Sequence, residues 1–86
     1  MKLKNQHQQA IYYLSNWQKF SLKDVINDSM FFKFQTRLSE IEAEHGQIAI
    51  REQVKFTSKF GRKSKYYVYS ACVNKVKLKE IFESYD

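Results

Sequence analysis

The spacing of the apolar residues changes at Gly46. Before Gly46 they recur every three or four positions, which is the period of a helix with one buried side; the residues are Phe34, Leu38, Ile41 and His45. After Gly46 they recur every second position, which is the period of a strand; the residues are Ile48, Ile50, Val54 and Phe56. A chain that is helical first and extended later predicts an α+β fold.

Two more helices are predicted before the change of period. Apolar residues three and four positions apart predict a first helix over residues 6–17. Ser21 and Asp24 have the spacing of a capping-box variant, in which side chains satisfy amides at the start of a helix. A second, short helix is therefore predicted to begin at Leu22.

Two further helices are predicted, one directly before Gly46 and one at the C-terminus. The third is predicted over residues 31–45, with Gly46 as a left-handed C-cap. Asn74 is expected to cap a C-terminal helix over residues 74–85. Its apolar stripe must be covered, either by the first helix or by a second chain across a two-fold axis, and the small core favours a homodimer. The predicted partner interface consists of Leu78, Ile81, Phe82 and Tyr85.

The extended part of the chain is predicted to form a β-hairpin. A run rich in aromatic and β-branched residues follows the first strand after a short polar segment. With residues 61 and 62 at the centre of the turn, Phe56 pairs with Tyr67 and Val54 pairs with Tyr69. In this register all four side chains lie on one apolar face of the hairpin.

The length and the scarce residue types exclude several classes of protein. Eighty-six residues form one domain, predicted over residues 1–86, and leave no room for a large enzyme scaffold. Cys72 is the one cysteine and the histidines lie far apart, so neither a metal nor another cofactor is expected. No enzymatic activity is predicted. The absence of an apolar run of roughly 20 residues and of a signal-peptide core after Met1 predicts a cytoplasmic protein without a membrane partner.

The positive charge is concentrated in the second half of the chain. Residues 1–46 carry six basic and five acidic side chains, whereas residues 47–79 carry nine basic and one acidic. A cluster of cations without an intervening acid favours binding to the phosphates of nucleic acid. The alternative is that the lysines keep an exposed hairpin soluble. The cluster consists of Lys55, Lys59, Arg62, Lys63 and Lys65.

Four short motifs lie in the third predicted helix and in the predicted hairpin. They are Thr36-Arg37-Leu38-Ser39-Glu40-Ile41, His45-Gly46-Gln47-Ile48, Phe60-Gly61-Arg62-Lys63 and Tyr67-Val68-Tyr69. With them the chain resembles, over about residues 8–71, a family of small winged helix-turn-helix domains common in phages and mobile elements. The resemblance implies three helices, a two-stranded β-hairpin wing and, here, a C-terminal helix. It also implies that the third helix enters a DNA groove.

The third helix offers polar side chains on the side opposite its apolar stripe. At about 100° per residue, Gln35 and Arg37 lie on the flanks, and the outward residues are Lys33, Thr36, Ser39, Glu40 and Ala43. Lys33 and Arg37 suit phosphate or guanine. Gln35, Thr36 and Ser39 suit base edges. The glutamates in the second half of the helix repel phosphate unless they face away. An ordinary solvated helix face is the alternative for each residue.

Together these observations predict a DNA-binding accessory or regulatory protein of a phage or mobile element. The wing would contact the phosphate backbone and the third helix would face a groove of duplex DNA. One alternative is a protein-interaction module that engages a replication or defence protein, which the acidic helix favours. Another is a binder of single-stranded DNA, because tyrosines such as Tyr66 among lysines can stack on bases.

Overall fold

The structure is a computed structural model that describes residues 3–86. Met1 and Lys2 of the predicted domain lie outside the described residues. The predicted α+β fold is confirmed, since residues 3–86 form four helices and a three-stranded antiparallel sheet. In chain order the elements are α1 (Gln6–Asn16), β1 (Phe20–Ser21), α2 (Leu22–Ser29), α3 (Phe34–His45), β2 (Ala49–Thr57), β3 (Lys63–Ala71) and α4 (Lys75–Ser84).

Capping side chains begin α2 and α4 as predicted. The hydroxyl of Ser21 accepts from the Asp24 N–H at 3.3 Å, and the Asp24 carboxylate accepts from the Ser21 N–H at 2.8 Å. The side chain of Asn74 accepts from the Lys77 N–H at 2.8 Å. The first amides of a helix have no partner within it, and these side chains supply one. The predicted start of α2 at Leu22 is confirmed.

Four residues, 30–33, connect α2 with α3. The Met30 N–H donates to the Ile26 carbonyl, and Met30 ends α2 in the left-handed region, with φ 56° and ψ 33°. Phe31 is buried, but it reaches the core from this turn. The prediction that the third helix begins at Phe31 is therefore wrong, and α3 begins at Phe34.

Gly46 ends α3 at the predicted position but not in the predicted conformation. Its N–H donates to the Glu42 carbonyl at 2.9 Å, and its φ of 88° is one that glycine adopts easily. Its ψ of 177° lies outside the left-handed helical region, so the chain leaves α3 extended and runs directly into β2. The Glu42 side chain accepts from the N–H groups of Ile48 and Ala49 in this connection.

The sheet contains one strand that the sequence did not predict. The strand order is β1-β3-β2, so β3 lies in the centre. In β1, Phe20 pairs with Tyr69 and Ser21 pairs with Val68. A strand of two residues is too short to show a period in the sequence. Its pairing also depends on a partner strand that is far away along the chain. It places Phe20 and Tyr69 together in the core.

The hairpin of β2 and β3 has a different register from the predicted one. Val54 lies opposite Tyr66 rather than Tyr69, and the predicted pairing of Phe56 with Tyr67 is wrong by the same three positions. Because side chains alternate between the faces of a strand, a shift by an odd number reverses which residues share a face. The predicted apolar face is therefore wrong.

The loop of the hairpin explains the shift. It comprises residues 58–62 rather than a two-residue turn. The Ser58 N–H donates to the Arg62 carbonyl at 2.8 Å, and the Ser58 hydroxyl accepts from the N–H groups of Phe60 and Arg62. Gly61 allows the positive φ of 79° in this loop. The Ser58 side chain thus organises a five-residue connection.

The two faces of the hairpin differ in chemistry. The inner face, which continues the buried side of the sheet, carries Ala49, Arg51, Gln53, Lys55 and Thr57 of β2 and Lys63, Lys65, Tyr67, Tyr69 and Ala71 of β3. The outer face carries Ile50, Glu52, Val54 and Phe56 of β2 and Ser64, Tyr66, Val68 and Ser70 of β3. Cross-strand partners share a face, which defines both sets.

The core lies between the helices and the base of the sheet. The predicted buried stripe of α3 is confirmed for Phe34, Leu38 and Ile41, and Tyr69 of β3 packs edge-to-face on Phe34 with 5.2 Å between the ring centres. None of the helices formed by residues 3–86 has the length and apolar character that crossing a membrane requires.

Helix α4 packs on α1 and completes this core. Leu78 and Ile81 are 1% and 2% exposed within the single chain. Phe82 and Tyr85 are partly buried against the same core, and the buried Gln8 side chain donates to the Phe82 carbonyl. Leu78 and Ile81 are therefore not available to a second chain, and their prediction as partner-interface residues is wrong.

Candidate nucleic-acid interface

Five cations surround the far end of the hairpin. Lys55 lies directly opposite Lys65 on the inner face. The next pair on that face, closer to the loop, is Thr57 with Lys63. Like charges directly opposite one another destabilise a sheet. None of the five forms an ion pair with any of residues 3–86, and all are exposed. The cluster consists of Lys55, Lys59, Arg62, Lys63 and Lys65.

Helix α3 is attached to the base of the hairpin at two points. The Gln35 side-chain amide donates to the Tyr69 hydroxyl at 2.7 Å. The Arg51 guanidinium donates to the Glu42 carboxylate at 2.6 Å and lies 5.8 Å from the centre of the Tyr69 ring. These contacts fix the position of the hairpin relative to the helix.

The outward side of α3 carries small side chains and one acid. Thr36 and Ser39 are exposed together with Ala43, which lies one further turn along the helix. Lys33 is exposed at the N-cap position, one residue before the helix begins. Gln35 lies on the side that faces the hairpin. Glu40 lies about 40° around the helix from Thr36, and its side chain is 47% exposed, so a groove of duplex DNA that approaches this side also meets a carboxylate, one that is paired with Arg37.

Arg37 lies apart from the other predicted site residues. Its Nε donates to the Gln6 side-chain oxygen at 2.8 Å, and its Nη1 donates to the Glu40 carboxylate at 2.9 Å. The Arg37 side chain therefore faces α1 rather than the outward side with Thr36 and Ser39. A contact of Arg37 with phosphate or guanine is not supported by this arrangement.

The three glutamates of α3 each have a partner within the chain. Hydrogen bonds from Arg37 and then with His7 hold the pKa of Glu40 below its usual value of 4.5. The Glu44 carboxylate accepts from the Tyr85 hydroxyl at 2.7 Å. Burial, and then this bond, raise the pKa of Tyr85 to about 12.

Glu42 is the most enclosed of these acids. Burial acts to raise its pKa, but hydrogen bonds from the Arg51 guanidinium and from the N–H groups of Ile48 and Ala49 outweigh it. The pKa of Glu42 is therefore lowered from its usual value of 4.5. Glu42 is thus held inward, whereas the paired carboxylates of Glu40 and Glu44 remain 47% and 67% exposed and still count against phosphate binding at that end of α3.

A groove beside the free edge of β3 adds two cations that the sequence analysis missed. It lies where β1 ends and α2 begins, and Lys19 and Lys23 line it together with Lys65, Tyr67 and Gln35. Lys19 also lies 3.7 Å from Glu52, an exposed ion pair. The two lysines flank the predicted α2 cap, but only the unpredicted β1 brings them beside the hairpin.

No protein-family model, curated protein or solved structure matches this chain. The candidate interface is therefore assigned from the exposure and charge of the side chains themselves. It comprises the cations of the hairpin, the outward side of α3, and the groove between the two.

Proposed function

We propose that this protein binds duplex DNA as a small winged helix-turn-helix domain, in an accessory or regulatory role for a phage or mobile element. The order of helices and strands and the central position of β3 are compatible with that fold. The four-residue connection of α2 and α3 has the length of a helix-turn-helix turn. The genetic setting comes from the sequence motifs alone.

The pair formed by Lys55 and Lys65 carries the proposal. The two lysines are direct cross-strand partners on one face of the hairpin, and neither forms an ion pair with any of residues 3–86. Such a pair costs stability in the free protein, and a phosphate between the strands' side chains would remove the repulsion. The wing then contacts the backbone, which gives affinity without sequence preference.

Helix α3 supplies the second part of the proposed interface. Thr36 and Ser39 face the groove as hydrogen-bonding side chains for base edges, and Lys33 contacts phosphate at the start of the helix. Gln35 lies between the helix and the hairpin. The rival proposal of a protein-interaction module loses the support of Leu78 and Ile81 of α4, which are buried, and keeps that of the exposed carboxylates of Glu40 and Glu44.

A salt titration with matched variants tests the proposal. Affinity for a blunt duplex is measured by fluorescence anisotropy between low and moderate salt, for the intact protein and for Lys55→Gln with Lys65→Gln. If each lysine contacts one phosphate, the slope of log affinity against log salt falls by about 0.9 per lysine. The control is Lys77→Gln with Lys79→Gln, which removes the same charge from exposed positions of α4.

The control separates a local contact from overall charge. The hairpin variant is expected to lose affinity and slope, whereas the α4 variant keeps the slope of the intact protein. Equal losses in the two variants would mean that only net charge matters, and the wing assignment would be wrong. No duplex binding by the intact protein at low salt would refute the proposed function itself.

A further inference from the structure

The outer face of the hairpin exposes aromatic rings that the duplex proposal does not use. Phe56 is 47% exposed and Tyr66 is 42% exposed. Their rings lie edge-to-face with 5.7 Å between centres. Phe60 in the loop is 83% exposed, and its ring lies 5.1 Å from the Lys59 ammonium. Two further aromatic rings among residues 3–86 have comparable exposure, Tyr67 on the inner face at 44% and Phe32 before α3 at 62%.

These rings are exposed because the hairpin extends beyond the core. The core occupies only the base of the sheet, where Ala49 and Tyr69 are buried. Phe56 and Tyr66 also line the groove beside the start of α2, but both rings stay exposed. An exposed aromatic pair costs free energy in water, so its presence here calls for a ligand with an apolar, flat surface.

The surrounding charge identifies the kind of ligand. Residues 53–79 contain no acidic side chain, and the cations of the hairpin lie on the opposite face and in the loop. The one acid of the outer face, Glu52, lies toward the base, where Lys19 opposes it. One further acid, Asp24, lines the groove beside these rings, and its carboxylate accepts from the Ser21 N–H in the α2 cap. Flat apolar rings beside an excess of cations match unpaired bases on a phosphate backbone, since bases stack on aromatic faces while phosphates meet the cations.

We propose that Phe56 and Tyr66 form a stacking platform for unpaired bases. The ligand is then a duplex with a single-stranded extension, whose paired part meets α3 and the inner face and whose unpaired part passes over the outer face. This inference deepens the proposed function and rests on its nucleic-acid binding. It adds a second surface with a separate ligand preference.

Variants that keep apolar area but remove the aromatic rings test the platform. Phe56→Leu with Tyr66→Leu is compared with the exchange Phe56→Tyr with Tyr66→Phe, which keeps both rings. Ile50→Ala is a control at the base of the same face. The probes are a blunt duplex, the same duplex with an oligothymidine extension, and oligothymidine alone. Circular dichroism and thermal unfolding establish that each variant is folded.

The extension is expected to increase the affinity of the intact protein, and the double leucine variant to lose at least about fivefold on both probes that contain unpaired bases. The ring exchange and Ile50→Ala should stay within about twofold of the intact protein. Affinity for the blunt duplex should not change in any of the three variants. Binding of oligothymidine but not of the blunt duplex by the intact protein would count against the proposed function and not against the platform.

Three results would overturn the platform. The first is an unchanged affinity of a folded double leucine variant for oligothymidine. The second is a change in sedimentation coefficient on outer-face substitution without nucleic acid, which would make this face a contact between two copies of the chain. Photocrosslinking of intact protein to 5-iododeoxyuridine in the extension needs no variant. Crosslinks at Phe56 or Tyr66 are expected, and the third result, crosslinks only at inner-face residues, would refute the assignment.

Discussion

Arg51 of β2 and Glu42 of α3 form an ion pair with 2.6 Å between Arg51 Nη2 and Glu42 Oε1, and it joins the base of the hairpin to the helix beside it. The Glu42 side chain is 14% exposed, and its second oxygen accepts from the Ile48 and Ala49 N–H groups. One carboxylate therefore holds the end of α3, the connection and the first strand of the hairpin together.

Removing this carboxylate should destabilise the fold. In Glu42→Ala three donors lose their acceptor at once, and the expected loss in the free energy of unfolding is about 1.5–3 kcal/mol. Glu42→Gln keeps one acceptor oxygen and should lose less. Urea unfolding at pH 7 measures both. Glu80→Ala, at an exposed position of α4, is the matched control and should change stability by less than about 0.5 kcal/mol.

Stability should fall in acid because of Glu42 and Glu40. Both carboxyls have a pKa below the usual 4.5 in the folded protein, so the folded state binds fewer protons than the unfolded chain. Their contribution is fully present above the unfolded pKa and is lost as the pH falls through the folded pKa. Urea unfolding from pH 7 down to pH 3 should show a shallower loss in Glu42→Gln than in the intact protein. Parallel curves for the two proteins would contradict this assignment.

The pair of Lys55 and Lys65 should lower the free energy of unfolding of the free protein. Lys55→Gln removes one of two charges that face each other, and the free energy of unfolding should rise by about 0.2–1 kcal/mol at low salt. Added salt should reduce the gain by screening the repulsion. Lys77→Gln is the control and should show no gain. A variant that is less stable at all salt concentrations would mean that Lys55 stabilises the hairpin.

Met30 should be replaceable by glycine with a gain in stability. Its φ of 56° lies in the left-handed region, where a Cβ atom is strained, and its side chain is exposed. Met30→Gly removes the strain but adds freedom to the unfolded chain, so the net gain should be about 0.5–1 kcal/mol. Met30→Ala keeps the Cβ atom and is the control. Thermal unfolding in which glycine is no more stable than alanine would contradict the prediction.

The buried stripe of α3 should be sensitive to truncation. Leu38 is fully buried between Phe34 and Ile41, so Leu38→Ala leaves a cavity and should cost about 2–5 kcal/mol. Ser39→Ala, one position along the same helix but exposed, should leave stability within about 0.5 kcal/mol. Urea unfolding at pH 7 measures both, and equal stabilities would show that Leu38 does not pack in the core.

Local signals in the sequence were sufficient for the helices. Ser21 with Asp24, and Asn74 alone, begin helices through bonds to residues three positions away, and such bonds depend on little else in the fold. The stripe of α3 was also predictable, because one face of a helix next to a core must be apolar. The start of α3 was not, because Phe31 and Phe34 are both buried and only the conformation of Met30 separates them.

The hairpin could not be predicted in the same way. Alternating apolar residues fix a register when one face lies against a core, but Val54 and Phe56 lie beyond the core. The register follows instead from the Ser58 side chain, which closes a five-residue loop. The cations of the loop were found because charge clusters are visible in sequence, whereas Lys19 joins them only through the long-range pairing of β1.

The length of the hairpin also determines how the molecule approaches a partner. From Ala49 to Thr57 the strand spans about 26 Å, in a molecule that measures 46 by 23 by 20 Å. Five cations gather toward the far end of this hairpin, whereas the rest of the chain carries ten basic and nine acidic side chains and is close to neutral. This uneven distribution of charge gives the protein an electric dipole, and a polyanion turns such a molecule toward itself during diffusion. The protein is thus oriented before it contacts the polyanion, and the hairpin makes the first contact.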